Sequence, residues 1–195
     1  MRGAPAALWV LVLLASAAVR AAEPKAATKA PARTSATKSS ANGIYAIRLE
    51  QMDEKTCRIV VVKDQDVVWK LDRCLGGTVD DLLFVNNDGT RFWILFVLPE
   101  LVEPAALDKP SPNKRTDPMF EAVVAAEYDK EGRQLASRKL KDFLEYKRRG
   151  LLRKLEKHFK WLQGVVDVPG KSPRVSDAEL LEFEPVSGKT VQLKF

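Results

Sequence analysis

The chain has 195 residues, of which 46% are hydrophobic and 30% charged, so it can bury a core and fold as a globular protein. It carries 32 basic and 26 acidic residues, a net charge of +6, but only one histidine and two cysteines. This leaves little material for a histidine-based metal site or a catalytic triad. No glycine-rich phosphate-binding loop occurs either, and we expect no metal and no cofactor.

Residues 1–21 have the layout of a secretory signal peptide. Arg2 supplies an early positive charge, residues 6–18 form an uncharged apolar run, and small residues lead to Ala21. The run is too short for a membrane-spanning helix, although a retained N-terminal anchor is the alternative. The pattern predicts export, a secreted or periplasmic location, and no transmembrane span in the mature chain.

Residues 22–41 consist mainly of Ala, Lys, Thr, Ser and Pro and have no apolar period. Such a segment cannot offset its ordering entropy, so we expect a disordered tether. An inert spacer is the simpler interpretation, and a weak contact with an anionic envelope surface is the alternative. The folded, β-rich domain is predicted to span residues 42–195.

Alternation of apolar and polar residues within this domain predicts a series of antiparallel strands. In chain order these are residues 44–49, 57–63, 67–73, 82–86, 91–98, 121–128, 133–137, 179–184 and 189–195. The final strand places Val191, Leu193 and Phe195 on one face. The signals at 82–86 and 91–98 are the strongest, because Asp88-Gly89 supplies the positive φ that a tight turn requires. Residues 91–98 are almost entirely apolar, which predicts a central strand buried on both faces.

The strands at 57–63 and 67–73 form a predicted hairpin. A turn centred on Gln65 and Asp66 would place Val62 opposite Trp69 and Cys57 opposite Cys74, although a longer loop with a bulge is the alternative. An isolated cysteine pair in an exported chain is most simply a disulfide, and two reduced core thiols are the alternative.

Five prolines fall within residues 99–118, which predicts an irregular connection. We expect a single domain on both sides of it. The alternative is two halves, residues 42–98 and 119–195.

Residues 139–162 are predicted to form an amphipathic helix, weakened in its middle by Gly150. The apolar stripe at helical spacing consists of Leu140, Phe143, Leu144, Leu151, Leu155, Phe159 and Leu162. Residues 138–160 hold ten basic and three acidic residues, so the opposite face is strongly positive. The candidates for surface binding are Lys147, Arg148, Arg149, Arg153, Lys154 and Lys157.

This predicted helix has two interpretations. It packs its stripe on the sheet while the basic residues face water, or it lies on an anionic membrane with its apolar side chains inserted. Burial of Leu151, Leu155 and Phe159 in the sheet would exclude insertion.

Acidic pairs at Asp80 and Asp81 and at Glu182 and Glu184 would support glycoside hydrolysis only if they converged in a cleft. His158, the single histidine, is expected to be a solvated helix residue. We therefore predict no catalytic residue.

The sequence thus predicts an α+β or mainly β fold: antiparallel hairpins in one or two small sheets, with one basic amphipathic helix beside them. The expected function is that of an exported, non-catalytic envelope protein acting as a binding or structural module. One alternative is a peripheral binder of anionic membrane or polymer through residues 138–160, and another is a carboxylate-dependent hydrolase. The expected partner is an envelope protein or an anionic surface and not nucleic acid, because the chain is exported.

Overall fold

The computed structural model describes residues 32–53, 55–100, 117–165 and 167–195. The predicted signal peptide, residues 22–31 of the predicted tether and most of the proline-rich connection lie outside these ranges. The described chain is mostly antiparallel β-sheet, with several small sheets and few helices, which confirms the predicted α+β or mainly β class.

Fourteen strands are assigned among the described residues. They are β1 (Arg33–Thr34), β2 (Lys38–Ser39), β3 (Tyr45–Gln51), β4 (Cys57–Lys63), β5 (Asp66–Leu71), β6 (Leu82–Val85), β7 (Arg91–Leu95), β8 (Val123–Asp129), β9 (Gln134–Lys139), β10 (Arg153–Lys154), β11 (Phe159–Lys160), β12 (Arg174–Val175), β13 (Leu180–Phe183) and β14 (Val191–Lys194). A short helix, α1 (Pro118–Glu121), precedes β8, and two 3-10 helices span Leu140–Asp142 and Tyr146–Leu151.

The first sheet has the order β1-β3-β4-β5, with β2 also paired to β3. Its first two strands correct the predicted tether, because residues 33–34 and 38–39 are ordered against β3. Between them, the Ser35 N–H donates to the Leu49 carbonyl at 2.8 Å, and the Ser35 hydroxyl accepts from the Leu49 N–H at 2.8 Å. Unpaired backbone groups along β3 can thus order a polar segment that has no apolar period of its own.

The hairpin of β4 and β5 forms, but its predicted register is wrong. Val61 lies opposite Trp69 and Ile59 opposite Leu71, with a bulge between Val61 and Val62. The turn residues Asp64 and Gln65 both have positive φ, so the two-residue turn begins one residue earlier than predicted.

The predicted disulfide between Cys57 and Cys74 is present, with Cα atoms 4.9 Å apart. Cys74 lies three residues beyond the end of β5, in a loop rather than opposite Cys57 on a paired strand. The disulfide therefore links that loop to the start of β4.

The central sheet has the order β6-β7-β8-β9. Its first turn contains Gly89 with φ +74°, as the Asp-Gly pattern predicts. The predicted central strand, β7, is buried from Phe92 to Leu95. Because β7 pairs with β8, strands from both sides of residues 99–118 share one sheet.

Each face of the central sheet is buried against a different layer. One face packs on the first sheet, and its cluster includes Leu83, Val85, Phe92, Ile94 and Tyr128 with Ile47, Leu49, Ile59 and Val61. The other face packs on the C-terminal segments, and its cluster includes Phe84, Trp93 and Leu95 with Leu152, Phe159, Trp161, Leu181, Phe183, Leu193 and Phe195. Three layers thus enclose two cores.

The third layer contains the sheet β12-β13-β14. The buried Leu193 and Phe195 and the half-buried Val191 alternate with the exposed Gln192 and Lys194. This confirms the predicted one-sided burial of the final strand.

The predicted amphipathic helix over residues 139–162 is wrong. That segment contains the end of β9, both 3-10 helices and the short hairpin of β10 and β11. Most of the apolar stripe is buried, but the chain achieves this with two 3-10 helices and a hairpin, and the exposed Gly150 lies inside the second 3-10 helix. A 3-10 turn repeats every three residues, so an i, i+3 pattern does not distinguish it from an α-helix. Within the described ranges, no helix is long and apolar enough to cross a membrane.

Candidate functional site: the basic hairpin

The basic hairpin consists of residues 153–160, the strands β10 and β11 and the turn between them. Arg153 pairs with Lys160 and Lys154 with Phe159, and the Leu155 N–H donates to the His158 carbonyl at 2.9 Å. Arg153, Lys154 and Lys157 are all exposed. The hairpin therefore gathers three of the six predicted surface-binding residues at one place.

Two leucines are exposed beside these basic side chains. Leu155, in the hairpin, is 37% exposed, and Leu151, at the end of the second 3-10 helix, is 50% exposed. Phe159 is fully buried, and Leu152 is also buried, so the hairpin is fixed to the core at both of its ends. Of the three residues whose burial would exclude membrane insertion, Phe159 is a core residue, whereas Leu151 and Leu155 face solvent.

The second 3-10 helix carries the other three predicted residues. Lys147 Nζ lies 2.7 Å from a Glu145 carboxylate oxygen, and Arg148 Nη1 donates to the Ser187 carbonyl at 2.9 Å. Both side chains belong to exposed residues. Arg148 also lines a cavity of about 510 Å³ whose other basic side chains are Lys141 and Lys189. The acidic Asp142 and Glu145 line the same cavity, so its charge is mixed with a small basic excess.

Arg149 differs from the other five residues because it lies inside the fold. Its Nε donates to Asp117 Oδ2 at 2.7 Å, with side-chain exposures of 15% and 1%. Asp117 also accepts the Met119 N–H and so caps α1. This ion pair fixes the 3-10 helix to α1, so Arg149 positions the surface and contributes little exposed charge.

Glu121 of α1 has a similar role. Its carboxylate oxygens lie 2.7 and 2.6 Å from the ammonium groups of Lys139 and Lys141. Hydrogen bonds from Lys139 and Lys141 lower the pKa of Glu121. Two basic residues at the start of the 138–160 segment are therefore paired with a carboxylate.

The four candidate hydrolytic carboxylates have separate surroundings. Asp80 is exposed, 3.7 Å from Arg33, whereas Asp81 is buried and accepts hydrogen bonds from the Thr78 and Val97 N–H groups. Burial raises the pKa of Asp81 in spite of these bonds. Asp81 precedes β6 in the central sheet and borders a groove described below.

Glu182 and Glu184 instead line a small cavity of about 60 Å³ at the third sheet. Hydrogen bonds from Gln192 and Arg174 lower the pKa of Glu182, and Glu184 lies 3.7 Å from Lys171. The structure therefore does not bring the two acidic pairs into one cavity. Among the described residues, no group of three or more His, Cys, Asp or Glu side chains could hold a metal ion.

His158 corrects another expectation, because it is not a solvated helix residue. It is half-buried at the end of the basic hairpin and forms an isolated β-bridge with Glu100. These two residues, with Tyr128 and Phe96, border a groove that sequence reasoning missed. These residues come from segments that are far apart in the sequence, so no local pattern could have indicated the groove.

Comparison with protein-family models, with curated proteins and with solved structures finds no match for this chain.

Proposed function

We propose that this protein is an exported, non-catalytic envelope protein that acts as a binding module and contacts an anionic membrane surface through the basic hairpin and the adjoining 3-10 helix. The N-terminal signal pattern and the Cys57–Cys74 disulfide support export, because disulfides persist in oxidising compartments. The observation that carries the proposal is the exposure of Leu151 and Leu155 beside Arg153, Lys154 and Lys157.

Charge and apolar surface act together in such a contact. Each Lys or Arg near an anionic membrane contributes about 1 kcal/mol of attraction, and leucine side chains add binding by entering the acyl boundary. A purely electrostatic contact with a soluble polyanion would not need the leucines. Their exposure therefore favours a membrane over an anionic polymer.

The test is co-sedimentation of the purified protein with vesicles of equal parts phosphatidylglycerol and phosphatidylcholine, at low and high salt. The variant Arg153→Gln/Lys154→Gln/Lys157→Gln should bind about a hundredfold more weakly. Its matched control is Lys55→Gln/Lys130→Gln/Lys194→Gln, which removes the same charge from exposed positions elsewhere. An equal loss of vesicle binding in both variants would show that only net charge matters, which would contradict a local binding site.

A second variant, Leu151→Ser/Leu155→Ser, separates the two kinds of anionic partner. It should weaken vesicle binding while leaving the retention of the protein on a heparin column unchanged. Unchanged vesicle binding would instead support the polymer alternative. Arg149 is left intact throughout, because removing it would leave Asp117 buried without its partner.

A further inference from the structure

A groove with a volume of about 390 Å³ lies beside the central sheet, and His158 of the basic hairpin is among the residues that line it. It runs between the loop at residues 76–81, the chain just beyond β7, and strands β8 and β9. This volume falls within the range of about 300–1,000 Å³ typical of small-molecule sites. Because the groove opens to solvent, a ligand can enter without any rearrangement of the fold.

The apolar part of the groove is formed by Phe96, Leu98 and Val123. Phe96 and Leu98 are half-buried, and Val123 is 39% exposed although it belongs to a strand of the central sheet. An apolar ligand that covers these side chains would remove them from water, which favours binding by about 25 cal/mol for each Å² buried. This surface selects for a ligand with an aliphatic or aromatic body.

The charge of the groove is negative, although the chain as a whole is basic. Asp81 and Glu100 line it, and the described residues that line it include neither Lys nor Arg. By contrast, the cavity beside Arg148 is lined by three basic and two acidic residues. An anionic ligand would therefore meet repulsion in the groove, and a cationic one attraction.

Glu100 provides the point of contact for that cation. Its backbone is fixed by the bridge to His158, while its side chain is exposed and has no ion pair or hydrogen bond with the part of the chain that the structure describes. Asp81, by comparison, already accepts three hydrogen bonds, two from Thr78 and one from Val97. Asp81 thus contributes negative potential, and Glu100 is the carboxylate that can pair directly.

Polar side chains also line the groove. The Tyr128 hydroxyl lies 3.3 Å from the Leu75 carbonyl oxygen and 3.4 Å from Gln134 Oε1. His158 Nδ1 is buried without a hydrogen-bond partner within the described ranges, so it is not open to a ligand in the groove. The Tyr128 hydroxyl and the Gln134 side-chain carbonyl can accept further hydrogen bonds, which suits a ligand that carries N–H donors.

We propose that this groove binds a small organic cation, a primary ammonium group on an apolar body, with Glu100 as the counter-ion and Phe96, Leu98 and Val123 as the apolar floor. The site would make the protein a receptor for amines, and it does not depend on the membrane contact proposed above.

Three probes of matched shape test the proposal: n-hexylammonium, n-hexanol and hexanoate. Each is titrated into the purified, isotopically labelled protein while backbone amide shifts are followed by NMR. Hexylammonium should give saturable shifts around the groove, hexanol should bind about fivefold more weakly, and hexanoate should give none. Equal binding of hexanol and hexylammonium, or shifts confined to other surfaces, would overturn the proposal.

The variant Glu100→Gln provides the decisive comparison because it removes one charge and keeps the shape. The preference for hexylammonium over hexanol should fall to nearly one, whereas Asp177→Asn, at an exposed carboxylate outside the groove, should retain it. Val123→Lys places a like charge on the floor and should abolish hexylammonium binding. An unchanged preference in Glu100→Gln would show that this carboxylate does not recognise the cation.

Discussion

The two faces of the central sheet are covered by layers that are built differently. On one face, β3 and β4 pair continuously over seven residue pairs, and the Cys57–Cys74 disulfide ties the adjoining loop to this sheet. On the other face, residues 140–165 contain only 3-10 helices, two-residue strands and isolated bridges. The first layer is held by a long backbone ladder, and the second depends much more on individual side chains.

Those side chains form a compact aromatic group. The Trp161 ring stacks on Phe143 and meets Phe183 edge to face, with centroids 5.8 and 5.7 Å away. Its indole N–H donates to the Phe96 carbonyl at 2.7 Å and so connects the C-terminal layer to the chain just beyond β7. A layer held by few contacts should be more sensitive to single substitutions than one held by many equivalent hydrogen bonds.

The largest expected effect is therefore that of Trp161→Ala. Removing this fully buried indole should lower the free energy of unfolding by about 3–5 kcal/mol, because a cavity remains and an aromatic group is lost. Urea denaturation followed by circular dichroism measures the change. Trp161→Phe should keep most of the ring contacts and lose about 1 kcal/mol with the hydrogen bond.

Trp69 is a matched control on the opposite face. Its indole also donates to a backbone carbonyl, that of Gly89 at 2.6 Å, and its ring also contacts an aromatic ring, that of Phe92 at 5.8 Å. Trp69 is only half-buried and lies on the edge strand β5. Trp69→Ala should therefore cost clearly less than Trp161→Ala, and equal costs would contradict the proposed difference between the layers.

A somewhat smaller effect is expected from removing the disulfide of the first layer. The double variant Cys57→Ser/Cys74→Ser should lose about 3 kcal/mol in the chain-entropy model, because the disulfide closes a loop between residues 17 apart in sequence. The same urea assay, with and without a thiol reductant, measures it. The reductant should weaken the wild type and leave the double variant unchanged, and a loss in both would refute the assignment.

The regular parts of the molecule were predictable because their signals are local. Short apolar runs indicated β4, β6 and β7, alternation of apolar and polar residues indicated β14, and Asp88-Gly89 indicated the tight turn. The register of β4 and β5 was not predictable in the same way, because Asp64 and Gln65 both adopt positive φ without a glycine. Pairing of residues 33–39 with β3 was also missed, since it depends on backbone groups and not on side-chain pattern.

Long-range contacts explain the remaining failures. Spacing of apolar residues in 139–162 matched a helix, but the segment packs on the central sheet as two 3-10 helices and a short hairpin instead. Charge alone identified the six basic residues of the candidate surface. It could not separate Arg149 from the other five, because its partner Asp117 lies 32 residues earlier in the sequence, before β8 and β9. The groove depends in the same way on Glu100 and His158, which only the tertiary fold brings together.

The smallest expected effect concerns Asp81, which joins the loop before β6 to the chain after β7. Its two carboxylate oxygens accept hydrogen bonds from Thr78 and Val97, and an amide has only one acceptor oxygen. Asp81→Asn should therefore lower the free energy of unfolding by about 1–2 kcal/mol at pH 7. Urea denaturation at a series of pH values measures both this cost and its dependence on protonation.

The sign of the pH dependence follows from the cause of the shift. Burial raises the pKa of Asp81 above its ordinary value, so near and just above pH 4 the folded chain binds this proton more readily than the unfolded chain. The stabilisation from this protonation is complete below the unfolded pKa and is lost as pH rises through the folded pKa. The wild type should therefore gain stability relative to Asp81→Asn as pH falls from 7 towards 4.

Asp88 supplies the opposite case in the neighbouring turn. Although burial acts to raise its pKa, hydrogen bonds from Thr90 and Asn86 lower it overall, so Asp88 contributes stability that is lost in acid below about pH 4. Relative to Asp88→Asn, the wild type should lose stability as the pH falls through that range. The stability difference between wild type and variant should therefore change with pH in opposite directions for Asp81→Asn and Asp88→Asn. The same pH dependence for both variants would show that burial does not destabilise the charged form of Asp81 more than that of Asp88.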